Sequence, residues 1–166
     1  MLRAIAVQRS NAEPARGPST IGTIVLRHDE RHLRRKTISL RNGVELLVDL
    51  PTPVVLVSGD KLVLDNGAVV EVDAAQEPLY AVTANGSAQL AELAWHIGNR
   101  HLPAAIFPDQ ILILRDHVIK SMLEGLGAAV RETVAPFSPV RGAYDGQEHG
   151  HDLDHNQSHP NHQEHS

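Results

Sequence analysis

The pattern of hydrophobic and polar residues predicts a strand-rich first half of the chain. Short β-branched or alternating runs are separated by turn residues such as Asn42-Gly43, Pro51-Thr52-Pro53 and Asn66-Gly67. The predicted strands lie at residues 23–26, 37–40, 44–48, 54–57, 61–64 and 68–72, after a short strand near Ile5 and Val7. Short strands at this spacing predict an all-β domain over residues 1–73, either a small barrel or a two-sheet sandwich.

The second half has a mixed pattern. Residues 74–78 have the composition of a linker, and the elements predicted after it are a strand at 79–83, a helix at 87–97, a hairpin of 104–107 with 110–114, a helix at 116–126 and a strand at 130–134. This β-α-β-β-α-β order predicts a ferredoxin-like domain over residues 79–143, with two helices on one face of a four-stranded antiparallel sheet. The fold class is therefore α+β.

The ends of the two helices carry capping signals. Leu90, Leu93, Ala94 and Ile97 form the apolar stripe of the first helix, and Gly98-Asn99 can adopt the left-handed conformation that stops it. His101 then lies in the exit turn, which Pro103 stiffens. Asp116 can cap the second helix, whose apolar residues are Val118, Ile119, Met122, Leu123 and Leu126, and Gly125 and Gly127 can end it.

Composition restricts the chemistry. The chain of 166 residues has no cysteine, which excludes disulfides, thiolate metal sites and cysteine catalysis, so any metal must be held by imidazole and carboxylate. Aromatic residues make up only 3%, which leaves few platforms for stacking bases. The absence of an eighteen-residue apolar run and of an N-terminal leader leads us to expect a soluble, cytoplasmic protein with no membrane partner.

Residues 144–166 form a histidine-rich tail with almost no apolar residue, and we expect it to be disordered without a ligand. All 15 Lys and Arg lie at or before Arg141 and five acids follow it, so the net charge of -5 belongs to the tail. A purification tag or a merely solvated tail are the plain alternatives to metal binding. Because binding must order the chain at about 1–2 kcal/mol per residue, it should be weak and reversible. The tail histidines are His149, His151, His155, His159, His162 and His165.

The other five histidines differ in their prospects as metal ligands. His101 either satisfies its hydrogen bonds in the turn or becomes a site when a two-fold axis pairs it with a second copy. His117 begins a helix whose partial positive charge keeps its ring neutral and competent for metal. His96 lies off the apolar stripe and has the position of a surface or packing residue, while cation repulsion in the basic run 27–36 argues against His28 and His32.

That basic run is also the best argument for nucleic acid binding, but it is short and has no interleaved aromatic residue. Basic residues at strand ends more often protect a sheet edge from pairing with another sheet. We find no phosphate-binding loop, no activated nucleophile and no carboxylate pair for acid–base work. The sequence therefore predicts neither an enzyme nor a nucleic acid partner.

The motif Gly98-Asn99-Arg100-His101-x-Pro103, between a β-rich domain and a histidine-rich tail, resembles the UreE family of urease accessory proteins. The resemblance implies a cytoplasmic homodimer in which His101 of each subunit binds nickel at the interface. A peripheral His-Asp-His site of some relatives corresponds here to Arg115-Asp116-His117, so only His117 carries over, and the tail histidines imply additional nickel capacity. The N-terminal domain is similar to a peptide-binding domain of heat-shock co-chaperones, which implies docking onto the urease apoprotein or its accessory proteins, including the nickel-delivering GTPase.

The resulting hypothesis is a nickel metallochaperone, with Ni²⁺ as cargo, that delivers the metal during assembly of the urease metallocentre. One alternative is a metal buffer or storage protein without a dedicated client, and a second is an RNA-binding adaptor that uses the basic run and the four-stranded sheet. Imidazole ligands alone would favour Cu²⁺ and would also accept Zn²⁺, so the choice of nickel comes from the resemblance.

Overall fold

The structure, a computed structural model, describes residues 1–11 and 19–142 and contains two β-sheets. The first sheet has six strands in the order β2-β6-β5-β1-β4-β3, with β1 parallel to β4, β2 parallel to β6 and the other neighbours antiparallel. Its strands are β1 (Leu2–Gln8), β2 (Thr20–Leu26), β3 (His32–Ser39), β4 (Glu45–Val55), β5 (Lys61–Leu64) and β6 (Val69–Ala74). The predicted strand-rich first half is thus confirmed.

One apolar core lies inside this sheet. Every strand contributes to it, because inward-facing residues such as Leu62 and Leu64 alternate with more exposed ones. The backbone N–H of Arg41, just after β3, donates to Thr23 O of β2 at 3.2 Å, so the two edge strands approach one another. The sheet therefore curls around its core.

The chain reversal predicted at Pro51-Thr52-Pro53 is wrong, since these residues lie within β4. Leu33 of β3 is paired with Val54 and Arg35 with Asp49, so four residues of β4 face only Arg34. This bulge accommodates the two prolines, which have no N–H to donate to the partner strand.

The second sheet has four antiparallel strands in the order β10-β7-β9-β8. The elements follow the predicted β-α-β-β-α-β order: β7 (Gln76–Thr83), α1 (Ser87–Asn99), β8 (Ala104–Ile106), β9 (Ile111–Leu114), α2 (His117–Gly125) and β10 (Ala129–Pro136). Leu90, Leu93 and Ile97 of α1 are buried as predicted, and both helices pack on one face of this sheet. Only Leu123 of α2 is fully buried, whereas Val118 is 62% exposed.

The opposite face of the second sheet is covered by the segment after β10. Phe137 is completely buried there against Leu79, Ala81, Ala105 and Leu112. We call residues 137–142 the C-terminal strap. Val140 N–H donates to Ala104 O at 2.8 Å, so the strap runs alongside β8.

The segment predicted as a linker is almost entirely strand. β6 ends at Ala74 and β7 begins at Gln76, so Ala75 alone separates them. The division into domains at 1–73 and 79–143 stays a prediction, and the tail lies outside the described residues. Neither described helix combines the length and the apolar character that a membrane-spanning helix requires.

Candidate metal-binding site

His101 has an unusual backbone conformation for a residue with a side chain. Its φ angle is 57°, and it is the one non-glycine residue with positive φ in the described part of the chain. Leu102 N–H donates to Ile97 O and His101 N–H donates to Gly98 O, which is the hydrogen-bond pattern of a Schellman motif. His101 therefore occupies the position that glycine most often fills. The prediction that Gly98-Asn99 would supply the left-handed residue is wrong, because α1 continues through both of them.

His101 is exposed in this conformation, and the turn that holds it is anchored by its neighbour. Leu102, the next residue, packs into the core beside Ile97 and so anchors the turn. A left-handed non-glycine residue costs about 1–2 kcal/mol, and such conformations occur preferentially at functional sites. The packing of Leu102 and the Schellman hydrogen bonds thus hold the turn, because His101 by itself disfavours the left-handed conformation.

His101 lies at the edge of a cleft of about 610 Å³. The end of α1, the start of β8 and the C-terminal strap form most of its walls, and His28 contributes from the turn between β2 and β3. A second cavity of about 260 Å³ also includes His28 and strap residues in its lining. The cleft is therefore built from segments that are far apart in the sequence.

His28 is held by Glu77, the second residue of β7. Glu77 is only 4% exposed, and its two carboxylate oxygens accept from the backbone N–H of His28 at 3.0 Å and from the ring Nδ1 at 2.7 Å. The His28 ring also lies edge-on to Phe137, with 5.0 Å between the ring centroids. Sequence reasoning missed this pair, because the partners are 49 residues apart and no local pattern links them.

Arg31 completes the junction between the first sheet and the strap. It is buried, and its Nη2 donates to the carbonyl oxygen of Phe137. Burial lowers the pKa of Arg31 from its ordinary value, and the negative charge of Glu77 opposes that effect. Arg27 is more exposed and places its Nε 3.9 Å from Glu77. Glu77 thus lies close to two cations.

His117 is exposed at the first position of α2 and is not part of the His101 cleft. Asp116 caps this helix as predicted, with Oδ1 accepting from Val118 N–H at 2.8 Å and Ile119 N–H at 3.1 Å. Arg115 donates to the backbone oxygens of Leu79 and Thr133, so its guanidinium is hydrogen-bonded to strands β7 and β10. Among the described residues, no group of three His, Cys, Asp or Glu side chains forms at His117.

The remaining candidates are dispersed. His96 is half-buried and stacks edge-on with Trp95, and His32 is exposed at the start of β3. Within residues 1–11 and 19–142, no three His, Asp or Glu side chains come together as a ready metal site. The six tail histidines, His149 to His165, lie outside the described residues. In the basic run, Arg34 Nε donates to Leu50 O at 3.4 Å and Arg35 lies 3.9 Å from Asp49.

The fold and this cleft define a class of α+β protein with an exposed histidine in a fixed turn at the end of a helix. Both halves of the chain match family models: residues 4–75 match the N-terminal domain, and residues 77–166 the C-terminal domain, of UreE urease accessory protein. The chain therefore belongs to the UreE family of urease accessory proteins.

Individual relatives agree with this assignment. A urease accessory protein UreE of Mesorhizobium japonicum is 56% identical over 148 residues, which is 89% of this chain and 71% of that protein. The urease accessory protein UreE 1 of Brucella suis is 56% identical over 146 residues, 88% of this chain and 89% of the relative. A UreE protein of Agrobacterium fabrum is 51% identical over 137 residues, covering 82% and 85% of the two chains.

Proposed function

We propose that this protein is a nickel-carrying accessory protein that delivers Ni²⁺ to the urease apoprotein during assembly of the metallocentre. The observation that carries the proposal is His101, an exposed imidazole held in a strained left-handed turn at the edge of a cleft. Imidazole nitrogen is a suitable ligand for Ni²⁺, and also for Cu²⁺ and Zn²⁺, which we expect to compete. Membership of the UreE family supports nickel as the cargo and a role without catalysis.

A single imidazole holds a metal weakly, so the proposal includes a homodimer that brings two His101 rings together. The apolar surface near the cleft supports this pairing. Trp95 is 64% exposed on α1, while Ile106 and Phe107 at the end of β8 are 49% and 43% exposed. Large apolar side chains that are exposed on a protein surface often mark an interface, where a partner buries them.

In this scheme the tail histidines collect Ni²⁺ and pass it to the His101 pair. The strap supports a direct route, since it lines the His101 cleft and the tail follows it in the sequence. His117 belongs to the proposal as a peripheral ligand. The proposal also includes a ferredoxin-like domain over residues 79–143 and a cytoplasmic location. It further includes docking of the first sheet onto urease or its nickel-delivering GTPase.

The test compares calorimetric Ni²⁺ titrations of the full-length protein, of a chain that ends at Tyr144, and of His101→Ala in both backgrounds. His32→Ala is the matched control, because His32 is exposed outside the His101 cleft. We expect the shortened chain to keep about one tight site per two chains, which His101→Ala removes and His32→Ala leaves.

Two results would count against the proposal. If His101→Ala still supports full urease activation at limiting nickel, His101 is not the delivery site. If the chain ending at Tyr144 binds no Ni²⁺ at all, the metal belongs to the tail, and the protein is a metal buffer.

A further inference from the structure

We propose that His28 is a second metal-binding imidazole in the His101 cleft and that Glu77 positions it for this role. The inference rests on the proposed function, because it assumes that divalent metal reaches the cleft. It departs from the expectation based on sequence, in which the surrounding cations made His28 a poor ligand.

The first argument is the tautomer of the ring. An ionised carboxylate only accepts hydrogen bonds, so His28 Nδ1 must carry the proton that it shares with Glu77 at 2.7 Å. In the neutral imidazole, Nε2 then keeps its lone pair. A histidine that donates one ring N–H to a carboxylate and leaves the other nitrogen unprotonated has the arrangement typical of metal ligands.

The second argument is access to the cleft. Arg31 Nε is the one buried side-chain nitrogen or oxygen without a hydrogen-bond partner in the described part of the chain. His28 Nε2 is not such an atom and has no hydrogen-bond partner among the described residues, and the His28 side chain is 13% exposed. His28 lines two cavities, and His101 lines one of them as well.

The third argument is rigidity. Backbone and ring of His28 are both fixed by Glu77, and the ring is packed edge-on against Phe137. A ligand whose orientation is set before the metal arrives loses little freedom on binding.

The local charge sets the strength of binding. Glu77 and Asp29 supply two negative charges, and Arg27 and Arg31 supply two positive charges beside them, so the local charge is balanced and adds no net attraction for a cation. A divalent cation is therefore held weakly at His28 compared with the pair of His101 rings. His28 is therefore a weak, transient binding site for the ion in the cleft, and water supplies the other ligands.

The experiment is a Zn²⁺ titration of the full-length protein, followed through the ring-nitrogen NMR resonances of its histidines. Zn²⁺ serves as a diamagnetic probe for the divalent cargo. We expect the His28 Nε2 resonance to move in a saturable manner, at higher Zn²⁺ than His101 requires, while Nδ1 keeps its proton. His96 is the internal control, and its resonances should stay in place because it lines neither of the two cavities.

The possible outcomes separate this inference from the proposed function. If His101 responds and His28 does not, the inference is overturned and the proposed function stands. If only the tail histidines respond, both fail. The wild-type titration needs no substitution, so its result does not depend on whether a variant folds.

Glu77→Gln tests the positioning role. An amide of the same shape can donate to Nδ1 and so favour the tautomer with a protonated, non-ligating Nε2. Loss of such a carboxylate typically lowers metal affinity by about 10–100-fold, and we expect a loss of this size at His28 with no change at His101. Glu77→Asp, which keeps the carboxylate, should retain part of the metal affinity of His28. Equal affinity of His28 in Glu77→Gln and wild type would remove Glu77 from the proposal.

Discussion

Replacement of His101 by glycine should make the protein more stable while it removes the central metal ligand. His101 has φ 57° at the position of the Schellman motif where glycine is most common. Its side chain is exposed, so little packing is lost with it. Because this prediction concerns the backbone alone, it can be tested without any metal.

The magnitude follows from two opposing terms. Relief of the left-handed conformation contributes about 1–2 kcal/mol, nearer the lower value because histidine tolerates this region better than most residues. Glycine also makes the unfolded chain freer, which costs about 0.5–1 kcal/mol. The net gain should be about 0–1 kcal/mol, with about 0.5 kcal/mol as the central value. At roughly 2–4 °C per kcal/mol for a chain of this size, the central value raises Tm by about 1–2 °C.

The assay is thermal and urea unfolding of His101→Gly, His101→Ala and wild type, each with a chelator to keep metal from the tail. Alanine is the matched comparison, since it also removes the imidazole but keeps the Cβ that the left-handed conformation disfavours. We expect His101→Ala to stay within about 0.5 kcal/mol of wild type. If His101→Gly is no more stable than His101→Ala, the turn is not strained and the reasoning is refuted.

Three further substitutions test the supporting structure, each by urea unfolding. Asp60→Ala should lower the free energy of unfolding by about 3 kcal/mol, because this fully buried carboxylate accepts from an arginine and from two backbone N–H groups. A loss below about 1 kcal/mol would contradict that role. Asp116→Ala should cost about 1 kcal/mol through loss of the α2 cap, and an unchanged midpoint would show that the cap is dispensable. Gly127→Ala should cost about 1–2 kcal/mol, because φ is +90° and the new Cβ would lie 2.9 Å from Gln89 Nε2. Gly125→Ala, with open space at the helix end, is its control and should be neutral or stabilising.

Elements with a strong local signal were predicted closely. β5 (Lys61–Leu64) matches the prediction, and the positive φ of Gly43 and Gly67 matches the turns expected there. α1 has the predicted apolar stripe and extends two residues beyond it. In each of these cases the deciding interactions lie within a few residues, so periodicity and turn chemistry suffice.

The errors arose where a partner strand decides the conformation. Two prolines signal a turn by themselves, yet β4 carries them through a bulge opposite Arg34. Ala74 to Pro78 have the composition of a linker, but pairing with β10 makes most of that segment strand. Local composition has no information about the neighbour that supplies the hydrogen bonds.

The sequence by itself determined the α+β class, the order of the elements and the absence of thiol ligands. It also determined that His101 lies in the turn after α1. The tertiary structure decided that His101 itself is the left-handed residue and that the cleft beside it includes the strap. It also decided that His28 pairs with Glu77, 49 residues away, against the repulsion expected from its basic neighbours. The physical reason is range. Helix periods, turns and caps involve residues close in the chain, whereas a cleft and the orientation of a ring depend on contacts that only the folded chain creates.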